Sequence, residues 1–165
     1  MEAFRLLSHN ITNDNYKIFL NLCFRYCTQF TLTFHDYNIT SNYPIKKELE
    51  PFYVKTIQTY HWYCYRTYEY PLSILVYRVN EEAKNILLKY YDNIYCKPNF
   101  NIEDICFFKN NHIFFGSVSH EEIAHLFLNH QHNQFSQFME LANWKKENID
   151  RNRFINFNYK SILQK

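Results

Sequence analysis

Between residues 16 and 30 apolar side chains recur at Tyr16, Phe19, Leu20, Cys23, Tyr26, Cys27 and Phe30. Steps of three and four are the period of a helix with one buried face. Thr12-Asn13-Asp14 just ahead offers a hydroxyl cap and an acid for the first turn. Residues 3–8 alternate and predict a short strand. Residues 30–35 alternate with threonine and predict another. Residues 37–43, rich in Asn, Thr and Ser, read as a loop. Pro44 suits the first turn of a short helix carrying Ile45 and Leu49, which should end by Pro51.

Beyond Pro51 the pattern turns extended. Phe52, Val54, Tyr60, Trp62 and Cys64 predict strand from 52 to 66, broken near 55–59. Residues 59–68 and 72–79 read as two strands of a hairpin about Glu69-Tyr70-Pro71. Asn80 then caps a helix with Glu81 and Glu82 in its first turn. Its core face is Ala83, Ile86, Leu87, Tyr90 and Ile94, and Lys97-Pro98-Asn99 should end it. Residues 105–109 and 112–118 flank Asn110-Asn111, a residue pair that tolerates positive φ and marks a hairpin turn. Gly116 inside the second strand predicts a bulge or a close approach of backbone. Ser119 is expected to open a helix with Ile123, Leu126, Phe127 and His130 on one face. A break near His132-Asn133 precedes a last helix bearing Phe135, Phe138, Met139 and Ala142. From Asn148 the pattern fades.

Two tight hairpins require antiparallel pairing. The expected fold is therefore α+β: a mostly antiparallel sheet built from hairpins, with helices packed on one face. A chain of 165 residues fits one globular domain. Residues 131–165 are expected to form a helical C-terminal extension ending in a docked or mobile tail.

Composition narrows the function more than the fold. The chain is 47% hydrophobic and 20% aromatic, which excludes a disordered polymer. It has 20 Asn but a single Gly, the bias of AT-rich coding, so a bacterium or one of its phages is the expected source. One glycine also leaves no glycine-built phosphate cradle. Net charge is +2 with a pI near 8.2, so nucleic acid is not an expected partner. A basic tail of Lys145, Lys146, Arg151 and Arg153 is the only feature that favours one. No apolar run nears the ~20 residues of a membrane span, and no leader opens the chain. Membrane association is not expected, and the expected location is cytoplasmic. The five cysteines include no C-x-x-C pair, which fits reduced thiols. Cys23 and Cys27 lie on the buried helix face and read as core, not as metal ligands.

Chemistry-bearing residues concentrate in Ser119-His120-Glu121-Glu122-Ile123-Ala124-His125. The stretch is like the H-E-x-x-H zinc motif, but its histidines are five apart. On a helix that places them about 140° apart. Ser119 and Glu122 instead match a capping box, so local backbone bonding explains the segment without catalysis. His130 falls on the apolar face and reads as a satisfied core imidazole. A zinc site drawing on His125, His130 and His132, with Cys106 or His112, is a sparser reading. So is a Cys106–His120 couple. Glu103-Asp104 reads as a turn, because neighbours in a strand point to opposite faces. The aromatic run from Tyr60 to Tyr68 is the best sign of binding. With Trp62 and Cys64 inward, His61, Tyr63 and Tyr65 point outward as interface anchors.

Three stretches carry a resemblance: Leu6-Leu7-Ser8-His9-Asn10-Ile11, Glu103-Asp104-Ile105-Cys106-Phe107 and Ser117-Val118-Ser119-His120-Glu121. Over residues 1–130 the chain resembles small bacterial proteins, some of them labelled stage III sporulation protein AH-like. The resemblance implies no catalytic residue. A sporulation ring component would also need a membrane helix. The reading from sequence is a non-catalytic cytoplasmic domain that binds another protein, as an immunity protein, antitoxin or phage-linked inhibitor does. It needs no cofactor and no metal, and homo-oligomerisation is left open. The alternative is a metal-dependent hydrolase using His120, Glu121 and His125.

Overall fold

A computed structural model describes residues 2–7, 11–34, 43–96, 102–110 and 112–149. In chain order the elements are β1 (Glu2–Leu6), α1 (Asn13–Tyr26), β2 (Gln29–Phe34), α2 (Pro44–Leu49), a 3-10 turn (Glu50–Phe52) and β3 (Tyr53–Thr59). Next come β4 (His61–Trp62), β5 (Tyr65–Arg66), β6 (Leu72–Arg78), α3 (Glu81–Tyr90), β7 (Ile102–Lys109) and β8 (His112–Val118). The last are β9 (Ile123–Leu128), α4 (Phe135–Glu140) and β10 (Trp144–Glu147). Eight strands form one antiparallel sheet in the order β10-β1-β9-β8-β7-β2-β6-β3, and β4 and β5 form a separate ribbon. The α+β class expected from the pattern is the class observed.

Helices cover one face of the sheet. Tyr16, Phe19, Leu20 and Cys23 of α1 join Ile45 and Leu49 of α2, Ala83 and Leu87 of α3 and Phe138 of α4 in one buried cluster. Phe30 and Leu32, Phe107, Phe115 and Leu126 meet them from β2, β7, β8 and β9. The helix-period stripe of α1 thus lands where expected, with Cys23 and Cys27 both buried. Asn80 caps α3, its Oδ1 accepting from the Glu82 amide at 2.8 Å. Thr12 stands at the cap of α1 without a side-chain bond to it.

The opposite face carries a second cluster with no helical residue in it. Trp62 and Tyr63 from the β4–β5 ribbon pack on Ile74, Cys106, Phe108, Ile113, Val118 and Phe127. Gly116 explains how the ribbon fits. A Cβ there would lie 2.5 Å from Tyr63 Cε2, so the only glycine is a seat for an aromatic ring. The expected close approach is therefore to a side chain, not to backbone.

Three expectations are corrected. The break near 55–59 does not occur: β3 runs unbroken through it and pairs with β6, Ile57 opposite Ile74. The chain leaves the sheet only after Thr59, which still pairs with Leu72 of β6, so residues 60–68 are a ribbon laid on the sheet instead of the rest of a strand paired with β6. Ser119 opens no helix. The segment after it is strand β9, which pairs with β8 and β1. Ile-Ala-His-Leu-Phe-Leu is buried on both sides, and such a run shows no period to separate strand from helix. Finally, the C-terminal segment expected to be helical holds edge strand β10, with Trp144 opposite Leu6 of β1. Lys97-Pro98-Asn99, Arg151, Arg153 and the rest of the tail lie outside the described residues. Among the described residues no helix is long and apolar enough to cross a membrane.

Candidate functional site

The β2–β7 pairing is interrupted between Thr31 and Thr33. Thr31 stands opposite Cys106 and Thr33 opposite Glu103, so two residues of β7 face one of β2. Such a bulge re-aims side chains. Asp104 occupies it at φ 55°, a left-handed conformation that Asp tolerates better than most residues. Glu103 and Asp104 therefore do not point to opposite faces, as a regular strand would demand. They are neither a turn nor a split pair: both carboxylates reach the imidazole of His120, and one ligating atom from each of the three lies within 4.8 Å of the others.

The turn after β8 brings His120 there. Ser119 and Asp104 hold each other: Ser119 N donates to Asp104 Oδ1 at 2.7 Å, and Asp104 N donates to Ser119 Oγ at 3.1 Å. The expected capping box is thus replaced by a bond across strands, and Ser119 keeps only a backbone contact to Glu122 N at 3.4 Å. From the ribbon, the Tyr65 hydroxyl donates to Asp104 Oδ2 at 2.6 Å. Burial first, and then the Asp104 charge, push the Tyr65 phenol up, so it remains a donor. His120 is half exposed, its Nδ1 3.9 Å from Glu103 Oε2 and its Nε2 3.9 Å from Glu121 Oε1. The Tyr65 ring meets the imidazole edge-on at 5.6 Å.

His125 is elsewhere. It is buried on β9, with Nδ1 2.5 Å from the Tyr63 hydroxyl and Nε2 2.9 Å from Glu147 Oε2 on β10. Desolvation lowers its pKa, opposed by the bond to Glu147. Among the described residues no group of three possible ligands includes it with His120 and Glu121. Of the expected anchors, His61 is exposed, Tyr65 is half-buried with its hydroxyl on Asp104, and Tyr63 is fully buried. Tyr63 points inward because φ 47° there turns the ribbon over at that residue. His130 is exposed and bonds Glu2 Oε2 at 2.9 Å, which corrects its core assignment. Lys146 and then His130 hold the Glu2 carboxyl down at about 2.

Burial disfavours the thiolate form of the two cysteines near this site. Burial raises Cys64 to about 12, with Glu121 and Asp104 adding to it, and burial also pushes Cys106 well up. Sequence reasoning missed the carboxylate pair because a bulge is a property of two strands in register. An Asp directly after a Glu inside an otherwise apolar run was its only trace. Comparisons with protein-family models, curated proteins and solved structures return no match.

Proposed function

We propose that the protein works by binding another protein, which adds an extended segment to the sheet edge at β3, a strand paired with β6 alone among the described residues. The carrying observation is where the exposed large apolar residues sit. Among the described residues there are seven, and five of them, Tyr53, Val54, Tyr60, Tyr68 and Tyr70, lie on β3 or beside it. Thr67 gathers the last three, its amide bonding the Tyr60 carbonyl at 2.9 Å and its hydroxyl the Tyr70 carbonyl at 2.8 Å.

The two sheet edges support the same reading. β10 is Trp-Lys-Lys-Glu, with Lys146 ion-paired to Glu2 and Glu147 bonded to His125. A charged, short edge resists strand addition. β3 is seven residues, Tyr-Val-Lys-Thr-Ile-Gln-Thr, with one charge. Strand addition draws affinity from main-chain hydrogen bonds and specificity from flanking side-chain contacts, and tyrosine suits such a rim. An inhibitor or immunity role is one form this binding takes.

The test compares wild type with Val54→Lys and Tyr68→Ala. Both sites are exposed, so melting temperature should stay unchanged. A protein captured by the wild type should bind each variant roughly tenfold more weakly, the loss of about 1.4 kcal/mol expected of an interface anchor. Equal binding by all three forms overturns the reading, and so does self-association in sedimentation that the variants leave intact.

A further inference from the structure

Two guanidinium groups bracket β3. Arg78 ends β6 one residue beyond Tyr77, which stands opposite Tyr53, so it lies at the Tyr53 end. Arg66 ends β5 and pairs with His61 across the ribbon, at the Thr59 end. Both are exposed. Arg78 donates from Nη2 to the Pro51 carbonyl at 3.5 Å and forms no ion pair with Glu50 next to it in the chain. Arg66 lies 5.1 Å over the Tyr68 ring and forms none with Glu69. Among the described residues neither guanidinium is in an ion pair. The other edge differs: on β10 Lys146 is paired with Glu2, and Glu147 bonds His125 and stands 3.8 Å from Arg5.

Lys55 lies between the two arginines and is the only charge on β3. Burial lowers its pKa, so its ammonium has already lost part of its water. It also opens the regular part of the strand. The register shifts between Tyr53 and Lys55, which makes Val54 a bulge, and pairing with β6 is regular from Lys55 to Thr59.

These charges select among occupants of the edge. Antiparallel pairing of β3 with a second copy of itself sets the Tyr53 end of each strand against the Thr59 end of the other. That brings the Arg78 of each copy towards the Arg66 of the other, and like charges so placed oppose the pairing. Carboxylates in the same places are attracted instead. An extended segment spans from one arginine to the other in about nine residues at ~3.3 Å each.

We propose that the segment added at β3 is acidic: an extended stretch of a partner protein with a carboxylate near each end, meeting Arg66 and Arg78, and one between them meeting Lys55. The proposal rests on the strand-addition reading and adds the partner's charge to it. Main-chain bonding along Lys55–Thr59 serves any extended segment, and the carboxylates choose which one binds and speed its encounter.

The probes are capped synthetic peptides of about nine residues, alternating Thr and Val, with Glu at both ends and at the centre, or with Gln or Lys in those places. Each is titrated into the ¹⁵N-labelled full chain and followed by amide shifts. The Glu peptide should shift the β3 amides and bind about tenfold more tightly than the Gln peptide, with the Lys peptide weakest. Raising NaCl from about 50 to 500 mM should close the gap between the Glu and Gln peptides. The double variant Arg66→Glu, Arg78→Glu should reverse the order of the Glu and Lys peptides, and its melting temperature should move little because both sites are exposed. Equal binding of the Glu and Gln peptides at β3 overturns the acidic partner and leaves strand addition standing. Shifts confined to other elements, or none with any peptide, overturn both. Shifts of the β3 amides with protein concentration alone place a second copy on the edge and overturn the proposal.

Discussion

On the helical face Phe19 meets Phe115 at 4.8 Å and Phe138 at 5.9 Å, ring against ring. On the opposite face Tyr63 sits on Gly116 and is tied through its hydroxyl to His125, and through His125 to Glu147. The first arrangement asks for apolar volume, which many sequences supply. The second asks for particular atoms at particular positions, with Asp104, Ser119 and Tyr65 locked nearby in the same manner. The larger buried cluster therefore lies on the helical face, and the ribbon face carries the more specific polar contacts. The strongest way to break this contrast is Phe19→Ala. Emptying a buried aromatic site should cost about 3–5 kcal/mol, measured by urea unfolding. A cost below that of any ribbon-face substitution would reverse the ranking.

Gly116→Ala probes the other face with the smallest change available. The new methyl would press on the Tyr63 ring, which is buried and cannot swing into solvent. Overpacking of this kind costs about 1–3 kcal/mol. The cost should fall away in a Tyr63→Ala background, because nothing then occupies the space. A double-mutant cycle reads that coupling directly. An unchanged penalty in both backgrounds would trace the effect to the β8 backbone, and the seat for the ring would lose its meaning.

The same contrast decides what could be read from the sequence. Helices α1 and α3 were legible because their signals are local: apolar steps of three and four, and Asn80 just ahead of Glu81-Glu82. The β7–β8 hairpin was legible from Asn110 and its flanking apolar runs. Strand β9 was not, since six residues buried on both faces carry no period, and Ser119-x-x-Glu122 offered a false cap. The ribbon face was the least legible. Asp104 joins Glu103 only through register with β2, Tyr63 turns inward at one left-handed residue, and Glu147 reaches His125 because β10 returns to β1 from the far end of the chain. Each of these is a contact between distant segments, which neighbouring residues cannot announce. Of the sequence-derived site, His120 and Tyr65 fall in the carboxylate cluster, Glu121 behind it, and His125 and Tyr63 in a separate chain of bonds.

That separate chain gives the smallest effect and the finest test of the contrast. Neutral His125 fits both neighbours, accepting from the Tyr63 hydroxyl at Nδ1 and donating to Glu147 from Nε2. Desolvation lowers its folded pKa, against a partial rise from Glu147. In the unfolded chain the imidazole titrates near about 6.5. As pH falls through that value the unfolded chain takes up a proton that the folded chain refuses, so stability declines. The decline stops once pH passes below the lowered folded pKa. Its slope from this one group is at most about 1.4 kcal/mol per pH unit. Protonation would also turn Nδ1 from acceptor to donor and reverse the bond with Tyr63. Replacing His125 with Gln should lower stability above pH ~7 and flatten the profile between that pH and the acid side. Unfolding free energies measured at several pH values in both proteins check this. A profile equally steep in the variant would move the titration to another histidine, such as His132, whose pKa desolvation also lowers but which lies on the helical side against Tyr26. The helical face would then carry a pH response that the contrast assigns to the ribbon face.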